Sequence, residues 1–276
     1  MRVKILCYEY SDRGLPFGAQ LLAKLQEAGF AADFAPKSLQ DLGMKVKSVA
    51  RFVEKHPADA WVIIAGTREI LNWFANGPVP ALALFGRHTQ LPIAASSPLK
   101  GPALVSVVGK LIDMGHRRIV MLSREERRKP YPGPLEQKFL DEMEAHGLMT
   151  GKYNLPDWDE HTAGLRTALD SSFRNTPPTA LIIPEPAVFV ATRLYLSQMG
   201  ISIPKQVSVV CTDFDPIFKW FDPQVSHIHW SLQPVLNRVV RWATNVSHGK
   251  LDKRQTTFKA KLVEGGTIGP APKDQR

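Results

Sequence analysis

The sequence predicts an α/β protein built on parallel sheets, on three observations. Apolar runs of four to six residues recur along the chain, stretches with helical spacing separate them, and glycines stand at the joints. The runs at 3–8, 61–65, 81–85, 119–122, 180–183 and 207–211 are too short for buried helices and lack the alternation of a half-exposed strand. They read as strands covered on both faces. Between them, 17–28, 44–56, 103–114, 136–146 and 187–199 carry helical periodicity. In the last, Ala187, Val190, Ala191 and Leu194 recur at i, i+3, i+4 and i+7 and turn one face to a sheet. Gly29, Gly115, Gly147 and Gly200 each follow a periodic segment, where a helix closes with a left-handed residue; strands are expected soon after three of them, at 31–35, 119–122 and 207–211. Near the end, Val235, Val239, Trp242 and Val246 form a further helical stripe, with Pro234 in its first turn.

Composition narrows the class. With 44% hydrophobic and 22% charged residues over 276 positions, the chain can bury a substantial core and has no disorder signature. Lys and Arg outnumber Asp and Glu by 35 to 26, but the charge is scattered. Its densest run, 124–129, contains two glutamates and no aromatic, and reads as a solvated loop rather than a nucleic-acid patch. Cys7 and Cys211 lie inside apolar runs, as buried free thiols do. No secretory leader or membrane-length apolar stretch is present, so a cytoplasmic protein with no membrane partner is expected.

Four phrases in order carry a family resemblance. Leu-Ile-Asp-Met-Gly-His-Arg-Arg-Ile-Val (111–120) resembles the helix-to-strand signature of the lactose-repressor (LacI/GalR) family. Pro-Thr-Ala-Leu-Ile-Ile (178–183) is similar to its next strand, and Gly-Ile-Ser-Ile-Pro-Lys-Gln-Val-Ser-Val-Val (200–210) follows its next segment almost position for position. Asp213 and Gln233-Pro234 then match its post-strand Asp and the opening of its last helix. The resemblance implies a periplasmic-binding-protein-like fold of two Rossmann-like subdomains joined by three crossovers: 1–115 plus 234–255, 116–232 plus 256–268, and a loose tail at 269–276. It also implies a homodimer, and DNA binding only through an N-terminal helix-turn-helix, for which a first strand beginning at Arg2 leaves no room.

In such folds the ligand lies in the cleft outside the carboxyl ends of the strands, so the candidate site residues are those that follow a strand. In the first subdomain these are Tyr8, Glu9, Tyr10 and Ser11, with Phe17 heading the next helix. In the second they are Glu185, where the family carries Asn, and Asp213, able to accept from two adjacent hydroxyls. Trp230, a stacking surface, and Gln233 follow on the third crossover, with Phe214, Trp220 and Phe221 nearby. Two family anchors are replaced, an effector-binding Arg by Leu135 and an acidic residue by Pro102; Arg127, Arg128 or Lys129 are the basic residues near enough in sequence to compensate. The expected partner is a small polar ligand, a sugar or relative.

No cofactor, metal or catalytic residue is expected. His227 and His229 share a strand face without further ligands at metal spacing, residues 157–161 read as the cap and acidic first turn of a helix running to Asp170, and no nucleophile elbow or phosphate loop occurs. The sequence therefore points to the effector-sensing domain of a LacI-type regulator. A transporter's solute-binding protein, or a degenerate ligand-free scaffold, would share the fold.

Overall fold

The computed structural model describes residues 1–273. The chain forms two compact α/β units and passes between them three times. The first unit comprises Met1–Pro98 and Ser231–Phe258, the second Leu99–Trp230 and the chain from Lys259 onward.

In the first unit, β1 (Arg2–Leu6), α1 (Pro16–Glu27), β2 (Ala31–Phe34), α2 (Val46–Lys55), β3 (Ala60–Ile64), α3 (Arg68–Ala75), β4 (Ala81–Leu84) and β5 (Ala94–Leu99) alternate. The strands lie in the order β2-β1-β3-β4-β5, and their pairs are parallel. All five residues of β3 are buried, the doubly covered strand that its unbroken apolar run predicts. One face packs Leu6, Trp61, Ile63 and Ala83 against Phe52, Ile70 and Phe74 of α2 and α3.

The second unit continues with α4 (Gly101–Asp113), β6 (Ile119–Met121), α5 (Glu125–Arg128), α6 (Pro134–Ala145), α7 (Thr162–Asn175), β7 (Ala180–Ile183), α8 (Pro186–Gln198), β8 (Ser208–Cys211) and β9 (Ser226–Trp230). The chain then returns through α9 (Gln233–Ser247), which packs against α1 in the first unit, and ends in β10 (Gln255–Val263). Strands β6 to β9 are parallel in the order β9-β8-β7-β6, and the second half of β10 pairs antiparallel with β9. Side chains alternate across this sheet with period two. Val120, Leu181, Ile183, Val209 and Cys211 face Leu165, Leu169, Phe189 and Leu196 of α7 and α8, whereas Ile119, Met121, Ile182 and Val210 face Leu104, Val107, Leu111 and Phe139 of α4 and α6.

Several local expectations differ from what is observed. The stripe Ala187, Val190, Ala191 and Leu194 does not face the sheet: all four are exposed, and α8 buries Val188, Phe189, Thr192, Tyr195 and Leu196 instead. Helix α4, assigned by sequence to the first subdomain through residue 115, packs into the second unit's core. Helix α7 starts at Thr162, not at the acidic run: its N-cap is His161, whose Nδ1 accepts from the Gly164 amide at 3.1 Å. The run at 124–129 is not a solvated loop, because Arg124 and Arg128 turn inward to ion pairs. The tail is tied at its start. Gly269 O accepts from buried Ser208 Oγ and lies 2.9 Å from His116 Nε2, and the Ala271 amide donates to Met114 O; the rest of the tail beyond 273 lies outside the described residues. His116, the histidine of the Gly-His phrase, also meets Thr179 Oγ1 at 2.9 Å.

Candidate functional site

Because β6 to β9 run parallel, the residues that follow them gather at one edge of the second unit's sheet, and α4 starts at that edge because it leads back to the opposite end of β6. Asp213 follows β8. Its Oδ2 accepts from Lys100 Nζ at 2.8 Å and its Oδ1 from Trp230 Nε1 at 2.6 Å, so three elements meet on one carboxylate. Lys100 stands immediately before α4 and Trp230 ends β9. Glu185, the residue before α8, pairs with Arg124, which follows β6 and also donates to Glu160 Oε2 at 2.9 Å.

Behind these pairs the charge is dense and matched. Arg128 donates from Nε and Nη2 to Asp157 Oδ1 at 2.8 and 2.6 Å, and Lys129 sits 2.7 Å from the same side chain. Glu136, fully buried, accepts from Ser123 Oγ at 2.6 Å. Burial alone would lower the pKa of Arg127, but the carboxylates of Glu136, Glu126, Asp213 and Glu185 outweigh it and raise it. The residues that sequence offered as substitutes for the lost family Arg thus divide: Arg127 lies within the field of Asp213 and Glu185, while Arg128 and Lys129 are held by Asp157.

Aromatic residues nearby mostly pack. Phe221 sits 5.9 Å from Phe189 and takes Arg193 over its face at 4.9 Å, and Phe214 lies against His227 and His229 with centroids at 5.1 and 4.8 Å. Burial lowers the pKa of His227. Trp220 is largely exposed.

In the first unit the expected residues follow β1. The Tyr10 ring is exposed and stacked under Arg13, whose guanidinium carbon lies 3.9 Å from the ring centroid. Glu9 accepts from Ser11 Oγ and Gln40 Nε2, both at 3.2 Å. Phe17, in the first turn of α1, meets Phe85 at 5.3 Å, and the half-buried Tyr8 holds the Gln40 amide through its carbonyl. Phe85 and Ala65 both take left-handed backbone, φ 61° and 53°, at the exits of β4 and β3, and a Cβ on Gly86 would come within 2.5 Å of Gly66 O. Gln233 is exposed on the first turn of α9 and donates to Asn237 Oδ1 at 2.7 Å.

Sequence reasoning missed Lys100, Arg124, Glu136 and Glu160. Arg124 follows β6 by the rule that selected Glu185 and Asp213 and was legible on that ground. Lys100 carries no local signal, since only the fold brings it to Asp213, 113 residues away.

The periplasmic binding protein-like domain model matches residues 108–268. The chain belongs to that family. Solved structures share the fold along nearly the whole chain. A LacI family regulator from Enterococcus faecium with bound ribose has 12% identity and a TM-score of 0.76, covering 98% of this chain and 99% of its own. A periplasmic binding protein/LacI regulator from Alkaliphilus metalliredigens with D-xylulofuranose has 16% identity and a TM-score of 0.74, covering 97% and 98%. The lac repressor dimer bound to operator and an anti-inducer has 14% identity and a TM-score of 0.76, covering 98% and 82%. No curated protein sequence matches the chain. Among the described residues no helix is long and apolar enough to cross a membrane.

Proposed function

We propose that this chain is the effector-sensing part of a LacI-type transcription regulator and that it binds a small polar ligand, a sugar or related polyol, without transforming it. The observation that carries the reading is the constellation Lys100–Asp213–Trp230 beside Arg124–Glu185 at the strand exits. It offers carboxylate acceptors next to an aromatic surface, the pairing that recognises a hydroxylated ring, and it stands where α/β folds of this kind receive ligands. Nothing in the cluster joins a nucleophile to a general base. Tyr8, Tyr10, Phe17 and Gln233 are proposed contacts on the first unit.

Structural neighbours named as LacI regulators with bound ribose and D-xylulofuranose support a sugar-sensing role. The neighbouring lac repressor is named as a dimer on its operator, which supports pairing of this chain and a DNA partner reached through a separate head. For the pairing we assign Val190 and Leu194 on one face of α8, with Ile217 and Trp220 of the 3-10 turn Pro216–Trp220 that follows β8; these large apolar side chains are all exposed.

A thermal-shift screen against monosaccharides, sugar acids, polyols, purines and amino acids tests the reading, because a ligand bound only by the folded state raises its melting temperature. A shift with one hydroxylated class is expected. Silence across the panel refutes sensing in favour of a ligand-free scaffold.

A further inference from the structure

We infer that this site accepts polyhydroxy ligands that are neutral or carry an amino group and rejects their anionic forms, because in the pairs Lys100–Asp213 and Arg124–Glu185 the carboxylate is the more exposed partner, while the second carboxylate on Arg124, Glu160, is enclosed with it. The inference rests on the sensing role proposed above. The side chain of Lys100 is 9% exposed and that of its partner Asp213 is 27%; Arg124 is 15% exposed and Glu185 is 29%. Arg124 is further enclosed by Glu160, itself 11% exposed, and the Arg127 guanidinium lies in the combined field of Glu136, Glu126, Asp213 and Glu185. In each of these two pairs an incoming molecule therefore finds more of the carboxylate than of its positive partner.

That ordering selects by chemistry. A hydroxyl donates to a carboxylate oxygen that already accepts from Lys100, Trp230 or Arg124, since each oxygen accommodates more than one donor, and the ion pair survives. A protonated amine gains charge assistance at the same atoms. A sugar carboxylate or phosphate has no donor to offer there and is repelled. To reach Lys100 or Arg124 it must displace Asp213 or Glu185, leaving a half-buried carboxylate without its cation. Basic residues are abundant around the site, so a tally of charge alone would suggest an anion receptor; the exposure of each partner reverses that reading.

Calorimetric titration of the full chain with matched sets tests this: for glucose, galactose and ribose, the neutral sugar, the 2-amino sugar where one exists, the aldonic acid and the terminal phosphate ester. The expected result is that a neutral or amino member of one set binds, with its acid and phosphate at least about tenfold weaker, the scale of one lost charge-assisted hydrogen bond. Glu185→Gln, which keeps the shape of the side chain, is expected to narrow that ratio by about tenfold with the melting temperature little changed, a response that a purely structural role would not give. An acid or phosphate binding as well as its neutral parent overturns the inference and leaves the sensing role standing. Binding by no member of any set counts against the sensing role itself.

Discussion

Asp252→Ala is expected to destabilise the first unit more than any other single carboxylate removal. Asp252, just ahead of β10, is buried beside α9, and its two oxygens accept from both terminal nitrogens of Arg238 at 2.9 and 3.0 Å, from Asn245 Nδ2 at 2.9 Å and from Arg254 Nε and Nη2 at 3.2 and 3.1 Å. Both members of the central pair are enclosed, Arg238 at 6% and Asp252 at 3% side-chain exposure. Removing the carboxylate leaves a buried guanidinium with the Arg254 carbonyl as its remaining acceptor, at a cost of about 3–5 kcal/mol. Urea denaturation followed by tryptophan fluorescence reads that cost as a lower midpoint at unchanged slope. Although burial opposes it, the bonds from Arg254, Asn245 and Arg238 hold the Asp252 carboxyl well below the usual range. Its contribution is therefore complete above the unfolded pKa near 4, shrinks as pH falls below it, and is gone once pH has fallen through the depressed folded value. The gap between Asp252→Ala and the parent protein should hold constant from pH 7 to 5 and close only under strong acid. A cost below about 1 kcal/mol, the scale of a solvated surface pair, refutes the argument.

Three further outcomes follow from burial and charge. His88, His116 and His227 have pKa values lowered chiefly by burial, so the unfolded chain takes up protons near pH 6.5 that the folded chain refuses. Stability should fall from pH 6.5 toward 5, by up to about 1.4 kcal/mol per pH unit for each histidine, with His116→Asn reducing the slope; a flat profile on chemical denaturation contradicts this. Cys7 and Cys211 are buried, and desolvation pushes the Cys7 thiol up to about 12 and raises Cys211 as well, so a thiol reagent at pH 8 should label neither until denaturant is added; rapid labelling of the folded chain would refute their enclosure. Leu194→Glu together with Trp220→Glu should shift a dimer to monomer in sedimentation velocity, and a variant that still sediments as a dimer removes the assigned face.

Much of the fold was legible because parallel strands covered on both faces must be continuously apolar, as β3, β4 and β7 are. β5 (Ala94–Leu99) escaped because its sequence, Ala-Ala-Ser-Ser-Pro-Leu, has neither an apolar run nor alternation; tertiary pairing with β4 makes it a strand. The start of α7 was misread because Asp157 and Glu160 resemble capping residues, yet both are drawn to Arg128 and Arg124 instead. The site was half legible. Asp213 and Glu185 follow strands and are candidates by that rule; Trp230, a candidate as a stacking surface on the third crossover, is the last residue of β9, and its indole donates directly to Asp213. Lys100 was not found, since its role depends on a contact between α4 and β8 that no local pattern encodes.

The most direct test of the proposed site is calorimetric titration of the screening hit into the parent protein and Asp213→Ala. Loss of at least about tenfold in affinity is predicted, as expected when a charge-assisted hydrogen bond is removed at the strand exits. Equal affinity in the two proteins would contradict the assignment of Asp213, and with it the location of the site.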